Sequence, residues 1–129
     1  MILYVDKTGL GTITIASDYR IKKDVIELPS TWETVKALRP IKYTQAEFNP
    51  PSAVKRTGKD YAPMFVADNK ERWGFIAHEL QETMIEDAAT AYKDAPSDVQ
   101  SPNPWTIIAA LTKTVQELQA RVEQIEGIA

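Results

Sequence analysis

The C-terminal part of this 129-residue chain repeats its apolar residues with the period of a coiled coil. The spacings alternate between three and four residues, at Ile108, Leu111, Val115, Leu118, Val122 and Ile125. This pattern places the side chains at the a and d positions of a heptad repeat, where they form one narrow stripe along a helix. Asn103 and Pro104 predict where the helix begins, because asparagine caps helix N-termini and proline is tolerated at the first helical position.

The pattern leaves two interpretations of this helix open. The stripe covers about two and a half heptads, fewer than the three or four that identify a coiled coil from sequence. The helix could therefore pack on its own domain, or it could associate with copies of itself. The narrow stripe favours association, because a helix that faces a core usually presents a wider apolar face. Arg121 at g and Glu126 at the following e could then pair between parallel neighbours.

The remainder of the chain predicts short strands and helices, so the fold class is α+β. Segment 2–16 has the composition of two strands around a turn, and two strands alone are at best marginally stable. We therefore expect residues 1–16 to belong to a larger β-structure, followed by a body at 17–102 and the C-terminal helix at 103–129. The other predicted elements are a helix after the capping-box pair Ser30 and Glu33, strands at 41–43, 61–66 and 73–76, a hairpin turn at 68–72, and a helix from Ala77 to Asp87.

Composition and charge exclude several classes of function. The chain has no cysteine, which excludes disulfides, thiol nucleophiles and thiolate metal sites. Its net charge of −3 argues against a nucleic-acid partner. No run of about 18 apolar residues is present, so we expect no membrane partner. His78 is the only histidine and lacks the spacing of a zinc motif, so we expect neither a metal nor a cofactor.

Ser17 and Lys22 are the remaining candidates for catalysis. A serine hydroxyl is a poor nucleophile until a base removes its proton, and a lysine can be that base when desolvation or nearby cations such as Arg20 and Lys23 lower its pKa. Five residues apart, the two side chains would lie on opposite faces of a strand, or about 140° apart on a helix. A working pair therefore needs a turn between them or a member from another chain. Ser17 and Asp18 also suit a plain turn or a helix cap.

Four segments, in order, resemble one known protein family. SDYRIKK at 17–23 resembles its opening SDxRxKxxI, and VKALRPIKYT at 35–44 resembles its ALxxLxPVxY block. RWGFIAHEL at 72–80 resembles its xxGFIAQE block, and the segment 103–126 resembles its closing YxxLxxxLxxAIQELxxxxxxLE helix. This family is the intramolecular chaperone, or auto-processing, domain that closes many phage tailspike, tail-fibre, endosialidase and neck-appendage proteins.

The resemblance implies a trimer that folds at the end of a fibrous β-structured protein and then releases itself. If the family's motif serine and lysine correspond to Ser17 and Lys22, the cut falls between Ala16 and Ser17. Ser17 is then the nucleophile and Lys22 the general base of a self-cleaving endopeptidase. The partners would be two further copies of the chain, joined by a parallel trimeric coiled coil, and the upstream fibre or appendage. The domain would act in the host cytoplasm during phage assembly and leave the mature virion protein after cleavage.

The resemblance leaves some points open. Possible supporting groups are Asp18, Arg20, His78 and Glu79, although His78 stands where the family often has glutamine. Valine at a with leucine at d favours dimers, so the trimer rests on the resemblance alone. The alternative function is a non-catalytic trimerisation module that stays on the mature protein.

Overall fold

A computed structural model describes residues 16–52 and 63–128. The two strands predicted within 2–16 therefore lie outside the described residues, as does most of the loop predicted at 49–60. The described part contains helices α1 (Trp32–Ala37), α2 (Ala77–Thr83) and α3 (Pro104–Ile128), strands β1 (Ile41–Tyr43) and β2 (Arg72–Gly74), and 3₁₀ turns at Tyr19–Ile21 and Glu86–Ala88. A small mixed α+β body with a long C-terminal helix was predicted, and this is confirmed.

The long helix α3 begins where its capping residues predict. Asn103 Oδ1 accepts a hydrogen bond of 3.1 Å from the backbone N–H of Trp105, and Pro104 is the first helical residue. The 25 residues of α3 extend over about 37 Å at 1.5 Å per residue. Within the described ranges, no helix combines the length and apolarity needed to cross a membrane.

Helix α1 packs against α3 through polar contacts at its N-terminus. Thr31 is buried, and its Oγ1 donates a hydrogen bond of 2.7 Å to the carbonyl of Ala110. Ser30 Oγ accepts from Trp32 N at 3.3 Å and donates to the carboxylate of Glu117. The capping-box spacing predicted Glu33 as the acidic partner of this N-terminus. The structure supplies Glu117 from α3 instead, because α3 lies directly beside the first turn of α1.

Strands β1 and β2 form an antiparallel pair in which Ile41 lies opposite Gly74 and Tyr43 opposite Arg72. The same two segments meet again farther along, where Phe48 and Phe65 exchange backbone hydrogen bonds of 3.0 and 3.1 Å. The prediction of a hairpin turn at 68–72 is therefore wrong. The residues before and after it do not pair with each other, because both pair with the segment 41–48. Asp68 forms a local turn there, in which it accepts hydrogen bonds from the backbone of Lys70 and the side chain of Arg72.

The segment between α2 and α3 is held in place by the side-chain amides of two glutamines. Gln81 Nε2, on α2, donates to the carbonyls of Glu86, Ala89 and Ala91, at 3.1, 3.2 and 3.1 Å. Gln100 Nε2 donates to Gln81 Oε1 at 2.9 Å, which closes the network. This region therefore has a defined path in spite of its proline-rich, loop-like composition. The helix predicted to reach Asp87 ends earlier, at Thr83, where the chain enters these contacts.

The hydrophobic core of the described part is small. Its buried hydrophobic residues are one leucine and four alanines, namely Leu80, Ala88, Ala89, Ala95 and Ala110. Larger apolar side chains of the same part, including all six of the heptad stripe on α3, remain substantially exposed. A single copy of the body therefore leaves much of its apolar surface in water.

Candidate active site

A tight turn connects the two residues proposed for catalysis. The 3₁₀ turn Tyr19–Ile21 is capped by Asp18, whose Oδ1 accepts from Arg20 N at 2.9 Å and from Arg20 Nε at 3.0 Å. The Lys22 backbone N–H donates to the Tyr19 carbonyl at 3.1 Å and closes the turn. The spacing of Ser17 and Lys22 required such a turn for a working pair, and this requirement is met.

The turn brings both residues to one open cleft of about 730 Å³. Ala16, Ser17 and Lys22 line this cleft together, so the predicted scissile peptide, nucleophile and base share one surface. No hydrogen bond between Ser17 and Lys22 is present among the described residues. The arrangement is therefore a shared cleft and not an assembled hydrogen-bonded pair.

The other residues that line the cleft come from three further segments of the chain. Ser30 and Thr31 line it from the start of α1, Asp87 from the second 3₁₀ turn, and Asn103 and Trp105 from the start of α3. Asn103 Nδ2 donates to the carbonyl and to Oδ2 of Asp87, at 3.0 and 3.1 Å. Ser30 and Asn103 were predicted only as helix caps, and Asp87, Thr31 and Trp105 were not predicted as site residues. Their one sequence signal is that they lie at or next to predicted helix ends.

The four possible supporting residues divide into two pairs. Asp18 and Arg20 belong to the turn, where the hydrogen bonds from Arg20 lower the pKa of Asp18. His78 and Glu79 lie on α2 and are not among the residues that line the cleft. Arg39 donates to Glu79 through Nε at 2.9 Å and through Nη2 at 2.7 Å, and this pairing lowers the pKa of Glu79. The structure therefore gives Glu79 a role in joining α2 to the segment after α1.

Helix α3 contacts its own body through a stripe that differs from the heptad stripe. Ala110, Thr114, Glu117 and Arg121 contact Ser30, Thr31 or Trp32, at c and g positions of the heptad. At 100° per residue, this stripe lies about 100° from the a and d positions. The six a and d side chains are between 42% and 67% exposed, at Ile108, Leu111, Val115, Leu118, Val122 and Ile125.

The separation of the two stripes allows both interpretations of the helix, packing on its own domain and association with copies of itself, to hold together. Helix α3 packs on its own domain through c and g positions, while the side chains of its heptad stripe keep between 42% and 67% of their surface exposed. The g position of Arg121 would allow it to pair with Glu126 of a neighbouring helix. In the structure, its guanidinium carbon lies 3.7 Å from the centroid of the Trp32 ring. This cation–π contact is made within one chain.

The described ranges contain no group of three or more acidic, histidine or cysteine side chains arranged to hold a metal ion. The polar side chains that line the cleft supply five hydroxyls, one amine, one carboxylate and one carboxamide, from Ser17, Ser30, Thr31, Thr34, Thr106, Lys22, Asp87 and Asn103. These groups can carry out proton transfer and nucleophilic attack at a carbonyl, the chemistry of peptide cleavage.

One family model, of a peptidase family described as the chaperone of endosialidase, matches residues 17–89, more than half of the chain. The chain belongs to this family. The match covers both candidate catalytic residues, the turn between them, helices α1 and α2, and strands β1 and β2. Helix α3 lies beyond the matched residues, so the chaperone-of-endosialidase match does not include the heptad stripe. Comparison with curated proteins and with solved structures found no match to this chain.

Proposed function

We propose that this chaperone-of-endosialidase domain assembles three copies of its chain and then releases itself by cutting the bond between Ala16 and Ser17. One observation carries the catalytic part: Ala16, Ser17 and Lys22 line the same open cleft, at either end of a capped turn. Membership of a peptidase family supports the class of reaction. The mature protein released by the cut would be a phage fibre or appendage.

The proposed reaction uses groups of the chain and one water. Ser17 Oγ attacks the carbonyl carbon of Ala16 while Lys22 Nζ, acting as the base, takes the hydroxyl proton. The bond from that carbon to the Ser17 nitrogen then breaks, and the nitrogen leaves as an amine with the proton returned from Lys22. The product is an ester between Ala16 and Ser17 Oγ. Water hydrolyses the ester to a carboxylate on Ala16 and the original hydroxyl on Ser17.

The proposed chaperone role rests on the exposed heptad stripe of α3 and on the small core of the body. Three stripes that associate would remove from water the apolar side chains that one copy leaves exposed. Association of a short helical bundle also holds three chain ends at high effective concentration. Strand pairing between chains is slow, because loop-closure entropy must be overcome before contacts form, so this local concentration would help the fibre to assemble. Loss of the bundle after cleavage would make the fibre kinetically stable.

A second candidate function is a trimerisation module that does not cut. The observation that favours it is that Ser17 and Lys22 are both exposed and make no hydrogen bond to each other. In this alternative the cleft residues serve only to pack α1 against α3.

Mass spectrometry of the intact protein separates the two functions. We expect a fragment that begins at Ser17 to accumulate, and we expect Ser17→Ala and Lys22→Met to abolish it. Lys36→Met is the matched control, because Lys36 is an exposed lysine that lies outside both the turn and the cleft. Sedimentation of the same samples measures the oligomeric state. A trimer that keeps one undivided mass after prolonged incubation would leave the non-cutting module as the function.

A further inference from the structure

Three residues form a contact between the long helix and the start of α1, here named the latch: Ser30, Thr31 and Glu117. The Glu117 carboxylate accepts a hydrogen bond from Ser30 Oγ and one of 3.1 Å from the backbone N–H of Thr31. The hydrogen bond from Ser30 lowers the pKa of Glu117, so the carboxylate is ionised at neutral pH. Hydrogen bonds to an ionised acceptor are stronger than those between neutral groups.

The latch is continuous with the wall of the cleft. Ser30 and Thr31 line the cleft beside Ser17 and Lys22, and Ala110 of α3 lines it as well. Thr31 Oγ1 also lies 2.8 Å from Thr114 Oγ1, which adds a contact between α1 and α3. The position of this wall therefore depends on α3 being helical from Ala110 to Glu117, because only a helix brings these residues to one side.

The latch is independent of the heptad stripe. Glu117 is at a c position, about 130° around the helix from the centre of the a and d stripe. Copies of α3 can thus associate through the stripe without displacing Glu117 from Ser30. Isolated helices in water are marginally stable, so contacts along the stripe would increase the helical content of α3 and with it the occupancy of the latch.

We propose that Glu117 is a positioning residue that makes the cleft wall, and through it self-cleavage, depend on formation of the α3 helix. This inference rests on the proposed function for its cleavage readout, while the latch itself can be measured without cleavage. Its consequence is an order of events: the helix forms and associates, the latch closes, and only then is the Ala16–Ser17 bond cut efficiently.

The test compares Glu117→Ala with Glu123→Ala, which removes the same charge from an exposed position of the same helix. Three quantities are measured: the cleavage rate by intact mass, the oligomeric state by sedimentation, and hydrogen exchange of peptides that cover residues 17–32. For Glu117→Ala we expect cleavage to slow by about tenfold, since small displacements of reacting groups have effects of this size or larger. We expect faster exchange in 17–32 with the oligomeric state unchanged. Glu123→Ala should match the parent protein in all three.

Two further variants distinguish positioning from a general loss of structure. Glu117→Gln keeps an oxygen that can accept from Thr31 N, so its cleavage rate should fall between those of the parent and Glu117→Ala. Ser30→Ala removes the other side of the latch without altering α3. The double variant should be no slower than Glu117→Ala alone, because Glu117 accepts both hydrogen bonds of the latch. If Glu117→Ala reduces association, Ser30→Ala alone decides whether the latch positions the cleft.

Parent rates of cleavage and of exchange in Glu117→Ala would overturn the inference, as would fully additive effects in the double variant. A parent protein that never cuts would refute the proposed cleavage and with it the catalytic consequence of the latch. Exchange in 17–32 would still report whether Glu117 holds this segment in place.

Discussion

The Asp18 carboxylate accepts three hydrogen bonds from Arg20, one from its backbone N–H and two from its guanidinium, at 2.9 to 3.0 Å. These contacts join residues that are only two positions apart, so they define the turn between Ser17 and Lys22 locally. Both side chains are exposed, and their hydrogen bonds add to the backbone hydrogen bonds that close the turn. The pair thus organises the side of the cleft that carries the proposed reaction.

We expect Asp18→Ala to slow the appearance of the fragment that begins at Ser17 by several-fold. The substitution removes the cap of the 3₁₀ turn, so Ser17 and Lys22 will spend less time at the same cleft. The effect should be moderate, because exposed ion pairs contribute little to stability. Glu27→Ala is the control, since it removes an exposed acid from the segment between this turn and α1. Equal rates in the two variants would show that the turn forms without Asp18.

If the proposed trimer forms through the heptad stripe, we expect Leu118→Asp to convert it to a monomer of about 14.5 kDa. A carboxylate at a d position would be buried without a partner in the bundle, and this cost opposes association. Ala120→Asp adds the same charge at an f position, which faces away from the stripe, so it should leave the trimer intact. Sedimentation at micromolar concentration measures both. A parent protein that is already monomeric would refute assembly through the stripe.

We expect Glu79→Ala to reduce stability without changing the rate constant of cleavage in the folded protein. Glu79 pairs with Arg39 and does not line the cleft, so its loss removes the ion pair between α2 and the segment after α1 but leaves Ser17 and Lys22 in place. Arg39→Ala should lower the urea midpoint similarly, and the double variant should be no less stable than the worse single variant. If Glu79→Ala loses cleavage while keeping the stability of the parent protein, Glu79 supports the reaction, and this prediction is wrong.

We expect the pair of Asp68 and Arg72 to contribute to stability in a pH-dependent way. The hydrogen bonds from Arg72 lower the pKa of Asp68 from 3.8 to about 2. A carboxyl group with a lowered folded-state pKa stabilises the fold above its unfolded pKa, and this contribution is lost as pH falls through the folded value. Asp68→Asn should therefore be less stable than the parent protein at neutral pH, and the difference should shrink between about pH 4 and pH 2. Urea midpoints measured across this range check the prediction, and a constant difference would contradict it.

Local features of the fold could be predicted because neighbouring residues produce them. Asn103 and Pro104 specify the start of α3 through a cap and a compatible first residue, which involve no distant part of the chain. The heptad spacing likewise identifies the stripe on α3, because helical geometry alone places these residues on one face. The prediction at 68–72 failed for the opposite reason. Turn-forming residues indicate a bend, but they do not say which strand the chain pairs with after it.

The amino-acid sequence by itself determines the α3 helix and its apolar stripe. It also shows that Ser17 and Lys22 need a turn between them, since all of these features follow from the spacing of a few nearby residues. Tertiary structure alone decided that Ser17 and Lys22 share a cleft with Ser30, Asp87 and Asn103, and that Glu117 holds the start of α1. The physical reason is distance along the chain: Ser30 and Glu117 are separated by 87 residues, and only the packing of α1 on α3 brings them into contact.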